Sequence, residues 1–235
     1  MNLQENYYKK KLYPLQDGIL KIVRNLKLPF YLTGGTALSR HYFFHRYSDD
    51  LDLFVNEDDR FDEYLLLLFD ELGKEERKKI IEFDNSSIRK SKDFAQIFVS
   101  AYKSDVNLKI DLVNDISARF GRFEKDRILG KIDSWRNILS NKLSSLTRLE
   151  PKDVADIVII AKNKNFNWKH IITEAKEKDG SVDPITICEI LNSFPMDFYK
   201  EIKWIHKIEK TEFISCLKII AGDIFKGLKN NLKDK

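Results

Sequence analysis

Leu12, Leu15, Ile19, Ile22 and Leu26 recur at steps of three and four, the spacing that gathers apolar side chains on one face of an α-helix. Pro29 ends that segment, and Phe30-Tyr31-Leu32-Thr33 follows as a short β-rich run that stops at Gly34-Gly35. Thr36 to Phe44 returns to helix-forming residues, so the region reads as strand, tight turn, helix. In Leu51-Asp52-Leu53-Phe54-Val55 the period drops to two: Leu51, Leu53 and Val55 share one face of a strand, and Asp50, Asp52 and Phe54 share the other. Two carboxylates therefore stand side by side, and Asp49 points away.

Further along, Arg60 to Leu72 reads as a helix, and Lys79 to Phe83, Phe94 to Tyr102 and Val106 to Val113 as strands. Lys103-Ser104-Asp105 joins the last two as a hairpin turn. In the last run Leu108, Ile110 and Leu112 face one way while Asn107, Lys109, Asp111 and Val113 face the other, which projects Asp111 from a sheet face. From Asp133 the pattern is helical: Trp135 to Leu149, Pro151 to Lys162, Trp168 to Lys178, Pro184 to Asn192 and Thr211 to Leu228. Pro151 suits the first turn of a helix, where its missing N–H is harmless. The expected architecture is an α/β (α+β) domain over residues 1–130, a mixed sheet flanked by helices, followed by an all-helical domain over residues 131–235.

A chain of 235 residues with 43% hydrophobic and 33% charged residues has the profile of a globular protein with a core of its own. Its apolar runs, such as Tyr64 to Phe69, fall far short of the roughly 20 residues that a membrane span needs, so no membrane association is expected. Met1 to Lys11 lacks the apolar stretch of a secretory signal, and a cytoplasmic location is expected. Cys188 and Cys216 sit in apolar helical patterns and read as reduced core thiols. The net charge of +4 is modest, but Lys74 to Lys79, Arg119 to Lys131, Lys162 to Lys169 and Lys226 to Lys235 cluster enough positive charge to line a path for RNA.

Nucleotidyl transfer asks for a backbone that approaches phosphate closely and for carboxylates that hold Mg²⁺ against the reacting phosphorus. Gly34 and Gly35 offer the backbone and Thr36 a hydroxyl donor. Asp50 and Asp52, on one face and so placed to bridge a pair of Mg²⁺ ions, are completed by Asp111 from another strand as a further ligand and general base, a two-metal site. Ser48 is a further candidate phosphate donor. Arg46 is expected at the surface, and His41 and His45, four apart without a third ligand of zinc-like spacing, are assigned no metal. Tyr7, Tyr8, Tyr13, Trp135, Trp168 and Trp204 are read as packing residues rather than base-stacking platforms.

Leu32-Thr33-Gly34-Gly35-Thr36-Ala37-Leu38, followed by Arg46-Tyr47-Ser48-Asp49-Asp50-Leu51-Asp52-Leu53-Phe54, resembles the AbiEii family of nucleotidyltransferase toxins in the DNA polymerase beta superfamily. Lys109-Ile110-Asp111-Leu112-Val113 is similar to that family's third-carboxylate strand. Asn141 to Arg148 and Pro151 to Asp156 resemble its helical lysine and aspartate motifs, with Lys152 where an arginine is usual. The resemblance implies a nucleotidyltransferase-like fold and the toxin of a toxin–antitoxin or phage-defence system, hence an antitoxin partner. It implies an enzyme that moves an NMP from an NTP to an acceptor hydroxyl, with the tRNA 3′ end as first choice of acceptor and a protein or small molecule as the alternative. It also implies that Lys142 contacts the triphosphate and that Asp153 or Asp156 holds that lysine or the nucleotide. The rival reading, a nucleotide-binding module without turnover, has no need of three convergent acids that repel one another without metal.

Overall fold

The structure, a computed structural model, describes residues 3–233. Met1 and Asn2 of the amino-terminal stretch, and Asp234 and Lys235 of the last basic cluster, lie outside the described residues. The chain divides into two compact units. Among the described residues the first comprises 3–37, Asp49–Ser117 and Phe123–Asp133, and the second Leu38–Ser48, Ala118–Arg122 and 134–233.

The first unit is a mixed α/β layer. Helix α1 (Leu3–Tyr7) runs through a π turn at Tyr8–Leu12 into α2 (Tyr13–Asn25), which buries Leu15, Ile19, Leu20 and Val23. Strand β1 (Tyr31–Thr33) leads into a single helical turn, α3 (Gly34–Ala37), and β2 (Leu51–Asn56) is followed by α4 (Phe61–Arg77). Strands β3 (Ile81–Phe83), β4 (Arg89–Lys90), β5 (Phe94–Ala101), β6 (Asn107–Asp115), β7 (Glu124–Asp126) and β8 (Gly130–Ile132) complete the sheet. Its order is β3-β5-β6-β2-β1-β8-β7, with β4 also paired to β5. Pairing of β2 with β6 and of β1 with β8 is parallel, and the other pairings are antiparallel. Burial alternates along β2 and β6 as the period of two requires, with Leu51, Leu53, Val55, Leu108, Ile110 and Leu112 in the core.

Several elements depart from the sequence expectation. Helix α4 continues past Leu72 to Arg77, where Lys74 pairs with Asp70 and Glu71, and Lys78 pairs with Glu75, at helical spacing. The same pairs engage two cations of the first basic cluster. Strands β7 and β8 went unmarked because Glu-Lys-Asp and Gly-Lys-Ile carry little β propensity. Strand β8 straddles residue 130, so the sheet extends to Ile132. The helix expected from Thr36 begins at Gly34, and past Ala37 the chain widens into a π turn, Leu38–Tyr42, in which Phe43 N donates to the Leu38 carbonyl at 2.8 Å.

The second unit is helical, with α5 (Trp135–Ser144), α6 (Pro151–Asn163), α7 (Trp168–Lys178), α8 (Pro184–Asn192) and α9 (Lys210–Phe225). Ser134, Asn167 and Asp183 accept from backbone N–H groups and cap α5, α7 and α8. Helix α6 is buried without a break from Asp153 to Ala161, which makes it the unit's central helix. Trp168 is fully buried, and Cys188 and Cys216 are free, buried thiols. Among the described residues no helix is long and apolar enough to cross a membrane.

Candidate active site

Strand register brings the acids of the first unit together. Thr33 pairs with Asp52, Asp52 with Asp111, and Asp111 with Gln96, so one row across β1, β2, β6 and β5 carries these four side chains on the same face. Gln96 Nε2 donates to Asp111 Oδ1 at 2.8 Å and fixes that carboxylate. Asp50 enters from the residue before β2. The ammonium of Lys109 lies 3.3 Å from Asp50 Oδ2 and 3.1 Å from Asp111 Oδ2. Burial alone would lower the pKa of Lys109, but the charges of Asp50 and Asp111 outweigh burial and hold it above the ordinary lysine value. The lysine is therefore charged at neutral pH.

Gly34 shapes the other side of the row. Its φ is 65°, in the left-handed region, and a Cβ there would overlap Asp52 Oδ2. Glycine thus lets the backbone lie against the Asp52 carboxylate. Gly35 and Thr36 follow, both buried. The Thr36 hydroxyl donates to the Asp50 carbonyl at 2.5 Å, so it secures the approach to β2. Asp49 accepts from the Tyr8 hydroxyl at 2.5 Å, while Gln16 Nε2 donates to its carbonyl at 3.0 Å.

Hard carboxylate oxygens are the donors that Mg²⁺ takes, and the Asp52–Asp111 row with its glycine cradle offers them. Among the described residues, no three His, Cys, Asp or Glu side chains already converge as a metal cage. Two of the acids, Asp50 and Asp111, hold the ammonium of Lys109.

The second unit contains a separate polar cluster. Helix α5 presents Lys142 in its last turn, and α6 presents Asp153 and Asp156, three apart and so on one face. Lys142 ion-pairs with Asp153 and, at 3.1 Å, with Asp156. Arg46 grips Asp156 with two bonds of 2.7 Å, and His45 Nε2 lies 2.8 Å from the same carboxylate. Burial pushes the pKa of Asp156 up, but the Arg46 and Lys142 cations more than reverse this and hold it well below the usual range. Burial likewise pulls Lys142 down, and the Asp156 and Asp153 charges overcome that and leave it raised. His45 is lowered because its burial outweighs the pull of Asp156, so it is neutral, with Nε2–H donating and Nδ1 unbonded. Arg46 is thus a core residue, only 3% exposed, where the sequence suggested surface. Ser48 is buried in this unit as well. Arg46 and His45 carried no sequence signal, because their partner is 110 residues or more away. Lys109 did carry one, the alternation that puts it beside Asp111.

Two solved structures share the fold. The crystal structure of JHP933 from Helicobacter pylori aligns with a TM-score of 0.62 at 18% identity, covering 95% of this chain and 92% of that one. A candidate nucleotidyltransferase of the same organism aligns with a TM-score of 0.60 at 18% identity, covering 94% and 96%. No curated protein sequence matches the chain. The pattern of the nucleotidyl transferase AbiEii toxin family, type IV toxin–antitoxin system, matches residues 21–203. That span takes in the glycine pair, the row of aspartates and the Lys142 cluster, and by it the chain belongs to the AbiEii nucleotidyltransferase toxin family.

Proposed function

We propose that the protein transfers an NMP from an NTP to an acceptor hydroxyl in a metal-dependent reaction, with RNA, first of all the tRNA 3′ end, as acceptor. The observation that carries this reading is the row Thr33–Asp52–Asp111–Gln96 with the Gly34 backbone against Asp52. Asp50, Asp52 and Asp111 would hold Mg²⁺, which supplies Lewis-acid stabilisation of charge at the reacting phosphorus and acidifies a bound hydroxyl. Gly34 and Gly35 admit the phosphates close to the main chain. Gln96 keeps Asp111 oriented, leaving it placed to take the acceptor's proton. The acceptor oxygen bonds to the α-phosphorus, the α–β anhydride breaks, and pyrophosphate leaves. Lys142, held charged by Asp153 and Asp156, is the residue we assign to the triphosphate on family likeness.

Support for RNA comes from positive charge and rings. Lys125, Arg127 and Lys131 are exposed on the first unit. In the second unit Lys164 lies 5.6–5.7 Å from the ring centres of Tyr42, Phe43 and Trp135, half-buried aromatics that favour base stacking even at Trp135, which the sequence assigned to packing. We assign the protein to the cytoplasm, as a toxin countered by an antitoxin. Incubation with α-³²P-labelled NTPs, total RNA and Mg²⁺ should label a tRNA-sized band, and Asp52→Asn should abolish the label while the protein stays folded. Label on protein instead would overturn the RNA assignment, and full transfer by Asp52→Asn would overturn the carboxylate site.

A further inference from the structure

Lys109 stands two residues before Asp111 on the same face of β6, and it reaches both Asp111 and Asp50. The three side chains are only partly exposed, 31% for Lys109 against 26% and 18% for Asp50 and Asp111. In such a site the attraction is stronger than between solvated surface groups. The ammonium of Lys109 bridges two like charges, Asp50 and Asp111, that would otherwise face each other unscreened. Gln96 already satisfies one oxygen of Asp111, and the other accepts from Lys109. A divalent ion that takes Asp50 and Asp111 needs the oxygens now turned to the ammonium, and it repels that ammonium at the same distance.

We propose that Lys109 and the divalent cation compete for the same carboxylates, the lysine holding Asp50 and Asp111 together until Mg²⁺ or Mn²⁺ displaces it. This rests on the metal-dependent reading above and adds a positioning residue to it. Lys109 organises these two acids and competes for them, so it weakens the affinity of the carboxylates for metal.

The test is Mn²⁺ binding to the full chain without nucleotide, followed by the electron paramagnetic resonance of the free ion. Lys109→Met should bind Mn²⁺ about tenfold more tightly than the unaltered protein, since removal of one positive charge beside the ligands is worth at least that at intermediate dielectric. Equal or weaker binding by a folded Lys109→Met protein overturns the exchange, as does an absence of Mn²⁺ binding by both proteins. Should Lys109→Met fail to fold, the unaltered protein carries the test through acetylation of its lysines mapped by mass spectrometry. Saturating Mn²⁺ should raise the labelling rate of Lys109 several-fold, and an unchanged or lower rate overturns the proposal. Tighter Mn²⁺ binding without any transfer of labelled nucleotide would refute the proposed reaction and leave the exchange standing.

Discussion

Replacing Arg46 by methionine removes the fork that holds Asp156 while leaving a side chain of similar length. Asp156 is fully buried, so losing its bidentate partner strands a charge in a place that water does not reach. Breaking a buried pair on one side costs about 3–5 kcal/mol. Because Lys142 remains 3.1 Å from the same carboxylate, the lower end applies, about 3 kcal/mol. For a chain of this size that corresponds to a fall in Tm of about 6–12 °C. Calorimetry and urea unfolding should show the loss, and high salt should leave it nearly unchanged because the pair is shielded from counter-ions. In a double-mutant cycle, Arg46→Met with Asp156→Asn should cost clearly less than the sum of the two single changes. A loss below about 1 kcal/mol, the size of a surface pair, or strict additivity in the cycle, would refute the idea that this cluster is a buried, mutually dependent network.

Two further outcomes follow from the same geometry. Gly34→Ala places a methyl group on Asp52 and forces a left-handed backbone on a residue with a Cβ, costing roughly 1–2 kcal/mol from the backbone alone; Tm should fall and nucleotide transfer should collapse, and full transfer would show that Gly34 does not shape the site. The folded-state pKa of His45 lies below its ordinary 6.5, so its contribution to stability is complete above pH 6.5 and is lost as pH falls from there towards the depressed value. Urea unfolding between pH 7 and 5 should therefore show stability decreasing with acid, and His45→Gln should flatten that slope; an equal slope in both proteins would place the titration elsewhere.

Local chemistry made the row of acids readable before the fold was seen. Period-two alternation put Asp50 and Asp52 on one face and Asp111 on the face of its own strand, and the glycine pair marked the turn before them. Register supplied what alternation cannot, namely that Asp52 and Asp111 are direct neighbours and that Gln96 and Thr33 extend the row. A hydroxyl beside glycines suggests a phosphate donor, and sequence could not show that the Thr36 hydroxyl also donates to the Asp50 carbonyl. Arg46 and His45 looked ordinary for the same kind of reason: burial is a property of the assembled core, and a charged residue declares itself buried only when its counter-charge is brought to it. Strands β7 and β8 were hidden by polar three-residue sequences whose pairing, not composition, makes them strands.

The pairing of β1 has a consequence for the order in which the protein is made. Its antiparallel neighbour β2 emerges from the ribosome soon after it, but the parallel partner of Leu32 is Ile132, and the Thr33 hydroxyl donates to Asp133, 100 residues on. Long-range parallel contacts of this kind close late, because the loop they seal must be ordered first. A nascent chain that has exposed both glycines and the Asp50–Asp52 pair still lacks Asp111, and its glycine-bearing strand is unsealed on one side. For a toxin, this topology defers a complete acidic row, anchored on both flanks, until the chain has been synthesised past Asp133.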